Sequence, residues 1–256
     1  MDGSRTADSV MQGTSGLRAL VWKRADFRES SRLITLLSED LGKLTVLGKG
    51  AHRAGSQCLG RIDFLNLIRV KISGANLPVL HRVELLHEHR GLREPARYLA
   101  ASYLTELFDP ALPQGRVDRG LFELLTGGLL LLERCPRAVI PQILAGVELR
   151  FLRELGLQPP LLRCSRCEAS IHDGALIAAP DHPGLLCRRH AAAGTPPVSQ
   201  RVLRWLDVLG KSRGRDWPAL PSAPPGVLDL LGRWTAAAIE RRPRMRRYAL
   251  GASQRN

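Results

Sequence analysis

The stretch LITLLSEDLGKLTVLGKGA, residues 33–51, reads as two short strands around a tight turn. Leu, Ile, Val and Thr fill Arg32–Ser38 and Lys43–Gly48, and Asp40-Leu41-Gly42 between them is a turn signal. Working outward, Leu17–Lys23 makes an earlier strand of the same texture. Leu65–Ser73 makes a later one, with a break of phase at Ile68–Arg69, and Asn76–Glu84 a fifth after the turn Gly74-Ala75-Asn76. Short strands this closely spaced predict a small closed sheet, because closure removes exposed edges. The longer connection Lys49–Ile62 falls where an OB-fold carries its irregular segment.

From Glu94 the apolar period becomes helical. Pro95 suits a first turn, and Leu99, Tyr103 and Leu107 follow at helical spacing. Further helices are expected over about Arg119–Glu133, Val139–Leu155, Ser199–Leu209 and Val227–Ile239. Gly127-Gly128 weakens the second of these unless close packing requires it. Ile140, Ile143, Leu144, Val147, Phe151, Leu152 and Leu155 form one stripe, stopped by Gly156. A Pro-rich loop is expected over Gly214–Gly226.

Between the third and fourth helices lies Cys164-Ser165-Arg166-Cys167, and later Cys187-Arg188-Arg189-His190. Two C-x-x-C/H pairs on tight turns, separated by a loop, have the spacing of a treble-clef or ribbon zinc site. One structural zinc per chain is expected on Cys164, Cys167, Cys187 and His190, with His172 and His182 as other candidates for the fourth ligand. Cys58 and Cys135 have no such pairing and read as a loop thiol and a packed thiol.

The chain has 256 residues, 38 Lys+Arg against 24 Asp+Glu and a formal net charge of +14. A pI near 10.7 suits a polyanionic partner. An apolar content of 44% excludes wholesale disorder, and five cysteines do not make a secreted disulfide framework. No apolar run is long enough to span a bilayer, and residues 1–16 lack a signal peptide's apolar core, so a reducing cytoplasm is the expected compartment. His87-Glu88-His89 lacks the H-E-x-x-H spacing of a metallohydrolase. Arg163 stands where a zinc deaminase has proline, and no G-x-x-x-x-G-K-[ST] loop is present. The expected zinc is therefore structural.

An OB-like barrel binds nucleic acid through a basic groove and aromatic platforms. Lys23, Arg24, Arg28 and Arg32 around the first turn, Lys43 on the next, and Lys49, His52, Arg53 and Arg61 beside the long loop are the candidate contacts. Phe27 is the better stacking candidate, whereas Trp22 and Phe64 read as core. The run Arg241-Arg242-Pro243-Arg244-Met245-Arg246-Arg247 reads either as a disordered arm adding phosphate contacts or as a solubilising tail.

A barrel, then helices, then an inserted zinc module resembles the RecO family of bacterial DNA repair and recombination mediators. Leu33–Ser38 and Gly42–Ala51 look like the family's strand–turn–strand, and Arg53 and Ser56 fit the basic loop after it. Tyr98, Leu104, Glu106 and Leu107, then Leu121–Leu125, look like its first helices. Phe151–Pro159 followed by Cys164 and Cys167, and Gly184–Cys187, look like its zinc-proximal motifs. The likeness covers about residues 17–240. It departs at His190, where many members have Cys, at Glu168 in place of a common Gly, and at Gly55 in place of a frequent basic residue.

The resulting expectation is an α+β multidomain chain: a disordered extension over 1–16, an OB-fold β-barrel over 17–90, a helical bundle over 91–240 with a zinc module at about 161–193, and a basic tail over 241–256. The resemblance implies a non-enzymatic, nucleoid-associated protein that binds single- and double-stranded DNA and anneals strands. It implies RecR as a partner, with which it helps load RecA onto DNA coated by single-strand binding protein. It also implies contact with that coating protein's acidic C-terminal tail, for which Arg119, Arg134, Arg150 and Arg153 are the candidate residues. The alternative reading is an RNA-binding OB-fold and zinc protein associated with the ribosome.

Overall fold

The computed structural model describes residues 16–51, 53, 55, 56, 58, 60–170, 175–177, 184–194 and 197–251. Residues 1–15, His52, His172, His182 and residues 252–256 lie outside the described residues.

Five strands, β1 (Leu17–Phe27), β2 (Ser31–Ser38), β3 (Gly42–Gly48), β4 (Leu67–Ser73) and β5 (Val79–His87), form a closed barrel in the order β1-β2-β3-β5-β4. All neighbours are antiparallel except β3 and β5, which meet in parallel at Leu47 and Val79. This is the expected OB-like barrel. Alternation explains the inward set: Ala19, Val21, Ile34, Leu36, Val46, Ile68, Val70, Ile72 and Val83 pack in one core with Ile62 and Cys58. The expected break of phase lies one residue earlier, as a register shift between Leu67 and Ile68 within β4 against β5. Two of the boundaries that differ from expectation have a local physical reason. β1 runs on through Lys23–Phe27, whose largely exposed side chains gave no apolar signal. β5 starts at Val79 rather than Asn76, because Pro78 has no N–H for the ladder, and its carbonyl instead accepts from Leu47 N at 2.8 Å.

Six α-helices and three short strands follow the barrel among the described residues. Helices α1 (Pro95–Phe108), α2 (Arg119–Arg134) and α3 (Ile140–Glu154) match expectation within a residue or two. Glu94 caps α1, accepting from Ala96 N and Arg97 N at 3.2 and 3.1 Å, and those backbone donors hold its carboxyl below the usual range. A small sheet, β6 (Ala175–Ile177), β7 (Leu185–Leu186) and β8 (Pro197–Val198), was not anticipated. Helices α4 (Gln200–Lys211) and α5 (Val227–Ala238) were, and a short α6 (Arg246–Ala249) was not.

The division of the chain is finer than a cut at residue 90. Leu112–Phe122 groups with the barrel, and Gly91–Ala111 and Glu123 onward form the other unit. Within the barrel unit, Gly115 N donates to Lys43 O at 3.0 Å, and a Cβ on Gly42, at φ +67, would lie 2.0 Å from Arg116 O.

In the helical unit the α3 stripe is buried from Ile140 to Leu152, with Phe151 against Phe108 at a centroid distance of 4.8 Å. Gly128 is explained by close packing, since a Cβ there would lie 3.0 Å from Val147 Cγ2. The expected Pro-rich loop contains a 3-10 turn, Gly214–Ala219, which buries Trp217 over Gly146. A Cβ on Gly146 would meet the indole at 2.4 Å. Gly146→Ala is therefore expected to cost about 1–3 kcal/mol through overpacking. Urea unfolding checks it, and an unchanged midpoint would contradict this packing.

Candidate nucleic-acid interface and metal centre

Strand register gathers basic side chains at one end of the barrel. Asp26 pairs with Arg32 and Arg32 with Gly48, so the β1–β2 turn and the end of β3 lie side by side. The parallel bridge from Leu47 to Val79 brings the start of β5 to the same end. Arg28, Lys49 and Arg53 are exposed there, and their side chains make no hydrogen bond or ion pair among the described residues. Arg28 adopts φ 58 and sets its guanidinium 5.3 Å from the Phe27 ring centroid. A left-handed arginine is strained by roughly 1–2 kcal/mol.

The other candidates divide. Lys23 and Arg24 are exposed on β1, and Arg24 pairs with Asp63. Arg32 pairs with Asp26 at 3.0 Å. Arg61 donates to Val83 O at 2.9 Å. Lys43 does not join the group. It stands beside the Ser38–Gly42 turn, is only 9% exposed, and lies 5.5 Å from the Trp22 ring. That end of the barrel carries Glu39 and Asp40, which pair with Arg18 and Arg119.

Two cations were missed in the sequence. Lys71 and Arg82 lie directly opposite each other on the outer face of β4 and β5, both exposed, with no partner among the described residues. Like charges in register destabilise a sheet by a few tenths of a kcal/mol up to about 1 kcal/mol. A polyanion relieves that repulsion. Only the pairing register reveals the juxtaposition, so residue spacing alone gave no signal. The acidic groups in this neighbourhood are Asp26 and Glu84, paired with Arg32 and Arg69, and the exposed Glu29.

Three of the four arginines considered for a protein partner are held internally. Arg119 belongs to the barrel unit and sits 2.6 Å from Asp40. Arg150 Nη2 donates to Ser212 O at 2.7 Å, with its guanidinium 5.5 Å from the Trp217 ring centroid. Arg153 donates to Gly210 O and Gln158 Oε1, both at 3.1 Å. Arg150 and Arg153 thus satisfy carbonyls at the C-terminal end of α4, where cations are favoured. Arg134 is exposed at the end of α2 without a partner among the described residues.

The metal-ligating candidates converge. The donor atoms of Cys164, Cys167, Cys187 and His190 all lie within 4.8 Å of one another. Cys164 Sγ is 3.6 Å and Cys187 Sγ 3.4 Å from His190 Nδ1, and Cys167 Sγ is 3.9 Å from Cys187 Sγ. A tetrahedral zinc with ordinary bond lengths separates two sulfurs by about 3.8 Å and a sulfur from a nitrogen by about 3.5 Å. The donor set therefore fits a tetrahedral metal.

Each pair rides on a turn. Glu168 N donates to Cys164 O at 2.8 Å, and His190 N to Cys187 O at 2.9 Å. Ser165 N donates to Leu185 O at 2.8 Å, tying the first turn to β7. Glu168 has φ 58, which explains why a glycine would suit that position. Gly184, at φ +142, leaves no room for a Cβ, which would lie 2.2 Å from Ser165 Oγ. Burial works to raise the Cys164 thiol, but backbone donors at Cys187, Arg166 and Cys167, with the His190 ring, outweigh it and bring it to about 5. Burial raises both remaining thiols: Cys135 is packed as expected, and Cys58, on its loop, is buried in the barrel core as well.

The C-terminal basic run is not a disordered arm as far as Gly251. Arg246 forms a buried ion pair with Glu148, 2.8 Å from Nε to Oε1. Glu106 accepts from Arg244 N and Met245 N at 2.8 and 2.7 Å.

Residues 11–89 match the family described as Recombination protein O N terminal, and residues 92–247 match Recombination protein O C terminal. The chain is 33% identical over 183 residues to the DNA repair protein RecO of Exiguobacterium sibiricum, covering 70% of this chain and 72% of that one. It is 30% identical over 200 residues to the DNA repair protein RecO of Desulforamulus reducens, covering 74% and 77%. Another relative of the same description, from an Exiguobacterium species, is 28% identical over 214 residues, covering 83% of each chain. No helix among the described residues is long and apolar enough to cross a membrane.

Proposed function

Because the chain belongs to the RecO family, with a role in DNA repair and recombination, we propose that it is a non-enzymatic mediator that binds DNA through the basic end of its barrel. The observation that carries this reading is the convergence of Arg28, Lys49 and Arg53, with Lys71 and Arg82 on the adjoining strands. Backbone phosphates supply the affinity, so sequence preference is slight. Phe27 offers a face on which a base stacks. Annealing follows from the same charge, because two approaching phosphate backbones are screened together.

The family likeness supports RecR as a partner, RecA as the recombinase loaded, and the acidic tail of single-strand binding protein as a contact, with Arg134 the available cation of the four considered. Both single- and double-stranded DNA are substrates for binding, in a bacterial cytoplasm. Zinc is the metal that three cysteines and a histidine suit, with no position left open for chemistry. Its role is to hold the 161–193 module folded.

A salt series of single-strand binding tests the barrel. Each neutralised phosphate contributes a slope of about −0.7 in log K against log[salt]. About five contacts give a slope near −3.5 by that rule. Arg28→Ala and Arg53→Ala are each expected to reduce it by about 0.7, weaken all sequences alike and slow annealing. Unchanged slopes with annealing intact would move the DNA site off the barrel, and selective binding of RNA would favour a ribosomal role.

A further inference from the structure

The C-terminal segment is built as a fixed surface, and its construction has no bearing on the barrel. Helix α5 ends in a Schellman motif: Arg241 N donates to Ala236 O at 3.0 Å and Glu240 N to Ala237 O at 3.3 Å. The left-handed residue of that motif is Glu240, at φ 54, where glycine is the usual choice. The chain then doubles back. Arg241 Nη2 donates to Glu106 O at 2.9 Å, and the Glu106 carboxylate accepts from Arg244 N and Met245 N. Arg246 is consumed by the Glu148 pair. Three successive anchors thus immobilise a run of about ten residues.

What these anchors leave outside is basic and aromatic. Arg242, Arg244 and Arg247 are exposed, and among the described residues none of their side chains has an acidic partner. Tyr248 is 49% exposed, with the Arg247 guanidinium 4.6 Å from its ring centroid and donating to its hydroxyl at 2.6 Å. Glu106 is spent on backbone N–H groups, so Glu240 is the one acidic side chain after Asp229 in the sequence. A solubilising tail requires neither a left-handed glutamate nor a buried ion pair to hold it in place. A nucleic-acid platform gains from both, because immobilised side chains lose less entropy on binding.

We propose that residues 241–250 form a second nucleic-acid contact on the helical unit, taking the phosphates of a single strand on Arg242, Arg244 and Arg247 and a base on Tyr248. The aromatic ring interleaved with arginines suits a single strand better than an acidic peptide, which offers no flat base to stack. A second contact on a different unit from the barrel gives one chain two places to hold DNA.

The test uses the full-length chain with Arg242→Glu/Arg244→Glu and, separately, Tyr248→Leu. None of these side chains is placed in the barrel, and circular dichroism checks that each variant keeps its helices. The charge-reversed pair is expected to reduce the salt slope for a labelled oligothymidylate by about 1.4, that is two contacts at about 0.7 each. Tyr248→Leu is expected to weaken binding of oligothymidylate several-fold while leaving the slope unchanged, because stacking carries no counterion. Slopes and affinities equal to wild type in both variants overturn the proposal. So does loss of binding to a polyglutamate peptide while oligothymidylate binding is unaffected, which would assign the surface to an acidic protein. The barrel variants Arg28→Ala and Arg53→Ala are read in the same series. An effect there without one here leaves the barrel reading standing alone, and the reverse leaves this one standing alone.

Discussion

Arg246→Met is expected to cost about 3–5 kcal/mol of stability in the helical unit, because it strands a buried carboxylate. Glu148 is fully buried on α3, and Arg246 meets it with two bonds, Nε to Oε1 at 2.8 Å and Nη2 to Oε2 at 3.1 Å. Tyr103 OH donates to the same Oε1 at 2.6 Å, and Nη2 also donates to Leu228 O. Burial opposes the charged guanidinium, but the Glu148 carboxylate outweighs it and holds Arg246 above its ordinary range. Burial, with the same carboxylate, pushes the Tyr103 hydroxyl well above its own. Room for the guanidinium comes from Gly232, where a Cβ would lie 2.6 Å from Arg246 Nη1. Replacing both partners, Arg246→Met with Glu148→Gln, is expected to be less damaging than Arg246→Met alone, because no unpaired charge is left. Urea unfolding followed by tryptophan fluorescence reads both. A single variant as stable as wild type, or a double variant no better than the single, would contradict this account.

The same pair marks where the sequence stops being informative. A run of five arginines shows charge, but not that one of them closes on a glutamate about a hundred residues away. Arg150 and Arg153 are similar: their partners are backbone carbonyls of Ser212 and Gly210, which no side-chain pattern announces. The barrel was legible because alternation and turn residues are local. The stretch 33–51 specifies a hairpin whose register then sets its neighbours. The cluster of candidate metal ligands was legible for the same reason, since each knuckle is a local turn and only the meeting of the two is long-range. The basic end of the barrel was half legible. Arg28, Lys49 and Arg53 flank turns visible in the sequence, whereas Lys71 opposite Arg82 exists only once β4 and β5 pair. Lys43 was misplaced because the turn beside it faces an acidic neighbourhood that sequence order does not reveal.

Loss of the metal is expected to unfold the module around residues 161–193 while the barrel stays folded. The described part of that module has two very short strands and two knuckles, with Leu185 and Leu186 as buried apolar side chains beside the buried Cys164. So small a core does not offset the entropy of ordering its loops, at about 1–2 kcal/mol per residue. Metal binding would supply the difference, since for small zinc domains it is worth about 10–16 kcal/mol at neutral pH. Metal analysis of the purified chain is expected to find one zinc. Cys164→Ser and Cys187→Ser are expected to lose it and to become sensitive to limited proteolysis within the module. Chelation is expected to do the same to wild type, and more readily as pH falls, because protons compete for thiolates and imidazole. Single-strand binding by the barrel should change little in these variants, since its cations come from β1–β5 and the turns between them. A wild-type chain that is zinc-free and protease-resistant would remove the metal from the fold. A His190→Ala variant with undiminished zinc affinity would move the fourth ligand to His172, His182 or water. A collapse of DNA binding along with the zinc would mean that the module itself meets the strand, and would turn a structural metal into part of the interface.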